Sequence, residues 1–159
     1  MAVNLKRFKE GFFRLAPLIL LIYICISEFH THFYFWKIFS FNIQFIIIYY
    51  WILRDPSILG YGFIFLCGLI NDVVLSLPLG VSSLSYLFVS LVAAYVRNAT
   101  VRSTLFTDWF TSIIAIIGGN LITYALIENF TELKMEYTTV FYNSMFTFIL
   151  YPLFWSIFE

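Results

Sequence analysis

Long apolar runs, separated by short clusters of charge, dominate the pattern of this chain. Stretches without any Asp, Glu, Lys or Arg cover residues 15–27, 38–53, 56–71, 73–96, 109–127 and 137–158. A helix crosses a bilayer core with about 20 mainly apolar residues, whereas a strand of a membrane barrel has about 10 residues and alternates polar with apolar positions. The runs are too long and too uniform for such strands. Backbone groups in lipid must also bond internally, so the pattern predicts membrane-spanning helices.

Six helical segments are predicted, at residues 12–27, 38–53, 57–77, 82–96, 105–127 and 138–158. Pro17 lies near the start of the first segment, where proline is tolerated, and Pro152 predicts a kink in the sixth. The first segment lacks an A-x-A-like cleavage site, so we expect a retained helix. The expected fold is an all-α bundle of about six transmembrane helices, with residues 1–159 forming a single integral membrane domain.

Composition supports a membrane protein and gives no sign of a nucleic-acid partner or a metal site. The chain is 62% hydrophobic and only 11% charged, where a soluble domain has about 25% charged residues. With a net charge of zero and no basic stripe, a nucleic-acid partner is not expected. Cys25 and Cys67 lie in apolar runs and are expected to be small core residues. His30 and His32 are expected to be solvated loop residues because no further metal ligands join them.

The distribution of Lys and Arg predicts the orientation of the bundle. With six helices, one side holds Lys6, Arg7, Lys9, Arg14, Arg54, Arg97 and Arg102, and the other holds Lys37 and Lys134. This positive-inside bias places both termini in the cytoplasm. The outer 128–137 loop is acidic, with Glu128, Glu132 and Glu136 against Lys134. Trp36, Trp51, Trp109 and Trp155 lie near segment ends, as interface anchors do.

An aspartate in the third segment is the most informative polar residue. Asp72 follows Asn71 and lies one turn after Gly68, and the spacing places Phe65, Gly68, Asp72 and Leu75 on one helix face. We expect this helix to begin at Asp55-Pro56-Ser57 and to end at Pro78-Leu79-Gly80. A carboxylate within a membrane is costly and is often functional. Asp72 is therefore either a packing residue bonded to a neighbouring helix or part of a proton, ion or ligand site.

Other motifs favour packing over chemistry. In the fifth segment, Ala115 and Gly119 form a small-xxx-small pattern, which predicts close helix packing within the chain; a dimerisation face is the alternative. Motifs for nucleophilic, metal-dependent or phosphate-binding catalysis are absent from the sequence. We therefore expect a protein that is not an enzyme, without a cofactor or a catalytic metal.

The second to fourth segments contain, in order, Tyr50-Trp51, Pro56, Gly62-Phe63, Gly68 followed by Asp72, and Leu79-Gly80. This ordered set resembles the MreD family of bacterial rod-shape-determining membrane proteins. The resemblance covers about residues 49–95, where the order of residues is similar to the Y-W, P, G-F, G-x-x-x-D and L-G progression of the family. A closing asparagine and proline are similar to its N…W-P ending. Many members end in a basic tail, whereas this chain ends at Glu159. The matching residues include Tyr50, Trp51, Pro56, Gly62, Phe63, Gly68, Asn71, Asp72, Pro78, Gly80, Asn143 and Pro152.

This resemblance implies a non-enzymatic, multi-pass subunit of the cell-wall elongation complex in the bacterial cytoplasmic membrane. The implied partners are an MreC-like protein and, indirectly, MreB, RodA and a class B penicillin-binding transpeptidase. The subunit would link MreC and MreB to peptidoglycan synthesis and regulate cell shape. The family fold is thought to be similar to the S-components of energy-coupling-factor transporters. The alternative function is therefore a vitamin-type substrate-binding subunit, with a pocket formed by Asn71, Asp72, Asn120 and Glu128.

Overall fold

The computed structural model describes residues 16–26, 42–100, 104–131 and 137–158, and every regular element in these ranges is an α-helix. The all-α class predicted from the sequence is confirmed for this part of the chain. In order, the helices are α1 (Ala16–Ile26), α2 (Ile43–Arg54), α3 (Tyr61–Val74), α4 (Val81–Ala99), α5 (Leu105–Phe130) and α6 (Tyr137–Phe158). Each predicted segment therefore overlaps one helix.

Helix length separates two helices from the others. Within the described ranges, α5 and the Val140–Ile157 stretch of α6 are long and apolar enough to cross a membrane. Helices α1, α2 and α3 are apolar but shorter, at 10–17 residues. The structure thus supports two candidate spans, and the six-span bundle predicted from the sequence stays a prediction. His30, His32, Trp36, the basic residues before Ala16, and Lys37, Arg102 and Lys134 lie outside the described residues.

Helix α2 forms the centre of the bundle. Its residues from Phe45 to Tyr50, together with Ile52 and Leu53, are buried. A helix that is apolar all round is stable only when neighbours cover every face. Helices α4, α5 and α6 all contact α2, while α3 packs on α4, α4 on α5 and α5 on α6. Burial of this central helix therefore determines how the others are arranged.

Small residues allow α5 to approach this centre closely. Ala115 and Gly119 are both buried. A Cβ atom on Gly119 would lie 2.9 Å from Phe45 Cε2 on α2 and 2.9 Å from Val89 Cγ2 on α4. Contacts this short leave no room for a side chain, so α5 uses its small-residue face inside the bundle.

A tryptophan in α5 donates the hydrogen bond that a proline in α6 cannot. Pro152 lies within α6 and has no N–H to donate to the carbonyl of Phe148, four residues earlier. The indole Nε1 of Trp109 donates to that carbonyl oxygen at 3.0 Å. The rings of Trp109 and Phe148 also stack, with centroids 4.9 Å apart. A side chain from a neighbouring helix thus satisfies the backbone group that proline leaves unpaired. The kink predicted at Pro152 stays a prediction.

The connection between α2 and α3 differs from the prediction. Residues 56–58 form a turn, and α3 begins at Tyr61 rather than at the Asp55-Pro56-Ser57 cap. The Asp55 carboxylate accepts hydrogen bonds from the backbone N and the Oγ of Ser57, at 3.0 and 2.6 Å. Asp and Ser side chains bond nearby backbone groups in turns as readily as at helix starts. Here the turn is formed instead of the helix start.

The pairing of Trp109 with Pro152 can be tested with a double-mutant cycle. Trp109→Phe keeps an aromatic ring but leaves the Phe148 carbonyl without its donor, at a cost of about 1–3 kcal/mol in the free energy of unfolding. In a Pro152→Ala background the same change should cost at least about 1 kcal/mol less, because alanine supplies the missing N–H. SDS-induced unfolding in mixed micelles measures both values. Strictly additive effects would contradict the pairing.

Candidate functional site

The buried carboxylate of Asp72 binds the start of the next helix. Asp72 is 0% exposed and lies in the last turn of α3. Its Oδ2 accepts a hydrogen bond from the backbone N of Gly80, and its Oδ1 accepts one from the backbone N of Ser82, both at 2.8 Å. Gly80 is the residue that precedes the first turn of α4. Both oxygens of one side chain therefore hold the beginning of α4.

This contact satisfies groups that a helix start leaves open. The first backbone N–H groups of a helix have no partner within it, and the aligned peptide dipoles give that end a partial positive charge. A side chain at the residue before the first turn normally supplies the acceptor. Gly80 has no side chain, and its φ of 103° is a left-handed conformation that favours glycine. Asp72 supplies the acceptors from the preceding helix.

Neighbouring hydrogen bonds tighten the same hairpin. Asn71 donates from Nδ2 to Ser82 Oγ at 2.9 Å. The carbonyl of Asp72 accepts from the backbone N of Leu77 at 2.9 Å, and Ser76 has a positive φ of 54°. The chain therefore reverses within a few residues after Val74. We name the segment from Gly68 to Ser83 the α3–α4 hairpin.

A glycine one turn before Asp72 brings the two helices into contact. A Cβ on Gly68 would lie 2.6 Å from the backbone N of Ser83 and 2.8 Å from its Oγ. Ser83 Oγ donates to the carbonyl of Phe65 at 3.1 Å. Gly68 and Asp72 thus share the buried face of α3. Phe65 and Leu75, predicted on that face, have exposed side chains, because the spacing fixes only an approximate direction.

A second polar group joins α2, α5 and α6. Asn42 Nδ2 donates to Asn120 Oδ1 at 2.6 Å, and Asn120 Nδ2 donates to Ser144 Oγ at 2.8 Å and to Asn143 Oδ1 at 3.5 Å. The backbone N of Asn42 donates to Thr147 Oγ1 at 3.0 Å. The amide of Asn120 is buried and bonded at both ends. In an apolar bundle such groups are stable because they bond one another.

The residues of the pocket suggested by the sequence have different surroundings in the structure. Asn71 and Asp72 bond the start of α4, whereas Asn120 bonds residues of α2 and α6. Glu128 is exposed near the end of α5. Among the described residues, no three His, Cys, Asp or Glu side chains are grouped so that they could hold a metal ion. Cys25 and Cys67 are buried and free of a disulfide.

The remaining residues singled out by the sequence have separate surroundings. Trp51 packs its ring against Tyr50, with centroids 5.6 Å apart, and Arg54 lies over the rings of Tyr50 and Trp155. Pro56 is in the turn before α3, and Gly62 is exposed with open space around it. Pro78 accepts the backbone N–H of Val81 at 3.3 Å within the α3–α4 hairpin.

A groove on the outside of the bundle lies between α5 and α6, and residues of both helices line it. We name it the α5–α6 groove; its volume is about 350 Å³. Among the described residues that line it, only Ser144 and Tyr137 have a hydroxyl group, and the others are apolar. The lining residues are Ile113, Ile116, Ile117, Leu121, Tyr137, Val140, Phe141, Ser144, Met145 and Phe148.

Sequence reasoning missed two parts of this arrangement. The acceptor role of Asp72 toward a helix start could have been found from Gly80, because a glycine before a helix leaves the first N–H groups without a side-chain acceptor. The bond between Asn42 and Asn120 joins residues 78 positions apart. No local pattern indicates a contact at that separation.

The close approach at Gly68 can be tested against another glycine of α3. Gly68→Ala would force its Cβ against the Ser83 backbone, and we expect a loss of about 1–3 kcal/mol in the free energy of unfolding. Gly62→Ala is the matched control, since a Cβ there meets nothing within 4 Å and alanine should stabilise the helix by up to about 1 kcal/mol. SDS-induced unfolding in mixed micelles measures both variants. Equal effects of the two substitutions would contradict the close contact.

Comparison with protein-family models, with curated proteins and with solved structures finds no match to this chain.

Proposed function

We propose that this chain is a multi-pass protein of the bacterial cytoplasmic membrane and an MreD-like, non-enzymatic subunit of the cell-wall elongation complex. It binds the membrane anchor of an MreC-like protein. Through that protein it links cytoplasmic MreB filaments to RodA and a class B penicillin-binding transpeptidase, and it regulates cell shape. The proposed MreD-like identity is based on the resemblance in residues 49–95, and the contacts of those residues support it physically.

The hydrogen bonds of Asp72 are the observation that carries the proposal. Gly68, Asp72 and Gly80 are spaced as in the family pattern, and all three belong to one contact between α3 and α4. Gly68 allows the close approach of the two helices, Asp72 accepts the backbone N–H groups, and Gly80 adopts a positive φ. A motif that builds a hairpin, and not a reaction centre, fits a subunit that acts by binding other proteins.

The outer surface of the bundle favours a lipid environment. Large apolar side chains are exposed on every described helix except the central α2, among them Tyr23, Phe65, Leu91, Ile114 and Phe141. Serine and asparagine side chains are instead buried, as Ser83, Ser90 and Asn120 illustrate. Contiguous exposed apolar surface is costly in water and favourable in a bilayer. This distribution supports spanning by the shorter helices as well as by α5 and α6.

The transporter-subunit alternative receives less support. Substrate pockets combine an apolar concavity with a few convergent polar groups. The α5–α6 groove has apolar walls, and the polar groups of Asn71, Asp72 and Asn120 are already bonded within the bundle. A binding subunit for a polar vitamin would need those groups to turn toward a ligand. The interaction protein is therefore the function that we propose.

Recovery of the complex from membranes tests this function. The tagged chain should co-purify with the MreC-like protein of the same cell, and cells should lose rod shape when it is depleted. Asp72→Leu removes both acceptors and should reduce recovery and rod shape together. Asp72→Asn keeps one acceptor and should be intermediate, at a cost of about 1.5–3 kcal/mol for the lost bond.

Asp55→Asn is the matched control, because the two hydrogen bonds that Ser57 donates to Asp55 use the single oxygen Oδ1, which an amide can replace. Its complex and cell shape should be those of the wild type. Wild-type preparations without any MreC-like protein, or normal rods with Asp72→Leu, would contradict the proposal. Saturable binding of a vitamin by the purified chain would favour the transporter alternative.

A further inference from the structure

We propose that the α5–α6 groove is the surface that binds the membrane-spanning helix of the partner protein, and that this helix has a lysine or arginine at its outer end. This inference rests on the proposed function, since it names the binding face and the chemistry of the partner. The groove is apolar and concave, and it lies between the two helices long enough to cross a membrane.

Large side chains at the rim of the groove can contact a partner helix. Tyr137 is 77% exposed, Phe141 is 66% exposed and Met145 is 49% exposed. Aromatic side chains contribute strongly to protein interfaces, and methionine adapts its shape to the surface that it meets. A row of side chains on one helix packs into a groove between others. The rim therefore suits a helix that inserts its own side chains between α5 and α6.

The small-xxx-small pair of α5, Ala115 and Gly119, does not face the groove. Ala115 and Gly119 face the interior, where α2 and α4 approach them. The close helix contact that this pair allows is therefore already made within the chain. On the groove side α5 presents Ile117 and Leu121. The large side chains that line the groove favour a partner that fills the concavity with side chains.

Charge indicates which helix fits. Glu128 is exposed and lies seven residues after Leu121, on the same side of α5 and about 10 Å further along the axis. The 128–137 stretch of the sequence is acidic as well. A basic residue at the adjacent end of the partner helix would complement this carboxylate. Complementary charge at an interface rim guides association and selects the partner and its orientation.

Site-specific photocrosslinking tests the binding face in native membranes. The photoreactive residue p-benzoylphenylalanine is placed at position 141 or 145, with position 91 on α4 as the control. Leu91 is 62% exposed and is not part of the groove. After illumination, mass spectrometry of the product should identify the membrane-spanning segment of the MreC-like protein at positions 141 and 145, but not at 91.

Substitutions measure the contribution of the same residues. Phe141→Ala combined with Met145→Ala should lower recovery of the partner about tenfold, whereas Leu91→Ala should leave it unchanged. All of these side chains are substantially exposed, so thermal unfolding in detergent should be unaffected. Glu128→Lys should also lower recovery, and replacing the basic residue at the outer end of the partner helix by glutamate should restore it.

Several results would overturn the inference. Crosslinks at position 141 to lipid alone or to a second copy of this chain would do so. Partner crosslinks at position 91 and none at 141 would also do so, and they would leave the proposed function intact. Normal recovery of the partner by the groove variants would likewise overturn the groove as the binding surface and leave the proposed function intact. Failure of the wild-type chain to recover any MreC-like protein would contradict the proposed function itself, and with it the groove.

Discussion

The carboxylate of Asp72 and the backbone N–H groups of Gly80 and Ser82 form the interaction on which the α3–α4 hairpin depends. A buried carboxylate without partners is very unfavourable in an apolar bundle, and so are open N–H groups at a helix start. Here the two N–H groups donate to the two carboxylate oxygens, with nitrogen–oxygen distances of 2.8 Å, so neither side is left without a partner. The pairing fixes where α4 begins, and Gly68 lets the two helices meet at that point.

The same constraint explains the other polar contacts of the bundle. Where Pro152 leaves a carbonyl without its intrahelical donor, Trp109 donates from α5. The side chain of Asn120 bonds residues on both neighbouring elements, so that α2, α5 and α6 are joined by amides and hydroxyls within an apolar core. Polar groups in such surroundings are stable only when they bond one another. They therefore select a particular arrangement of helices whose apolar surfaces alone would allow several.

The sequence predicted the helical class and the six segments well, because long uncharged runs have few alternatives to helices. It also predicted that Gly68 and Asp72 share a face, but it placed the end of α3 at Pro78-Leu79-Gly80, whereas the helix ends at Val74 and Gly80 precedes α4. The start of α3 was wrong by several residues, since Asp55 and Ser57 suit a turn as well as a helix cap. The pocket of Asn71, Asp72, Asn120 and Glu128 stays a prediction, and local sequence patterns gave no sign of the hydrogen bonds that the first three residues make within the bundle. Contacts such as Trp109 with Phe148 depend on packing and leave no local signal.

Hydrogen exchange at Gly80 tests the central interaction most directly. Labelling with ¹⁵N-glycine restricts the NMR spectrum to the seven glycine amides of the chain, and Gly118 within α5 is the internal reference. In the wild type the Gly80 amide should be protected from exchange. In Asp72→Ala it should exchange at least about tenfold faster, while Gly118 is unchanged. An unprotected Gly80 amide in the wild type, or equal protection in both proteins, would contradict the role assigned to Asp72.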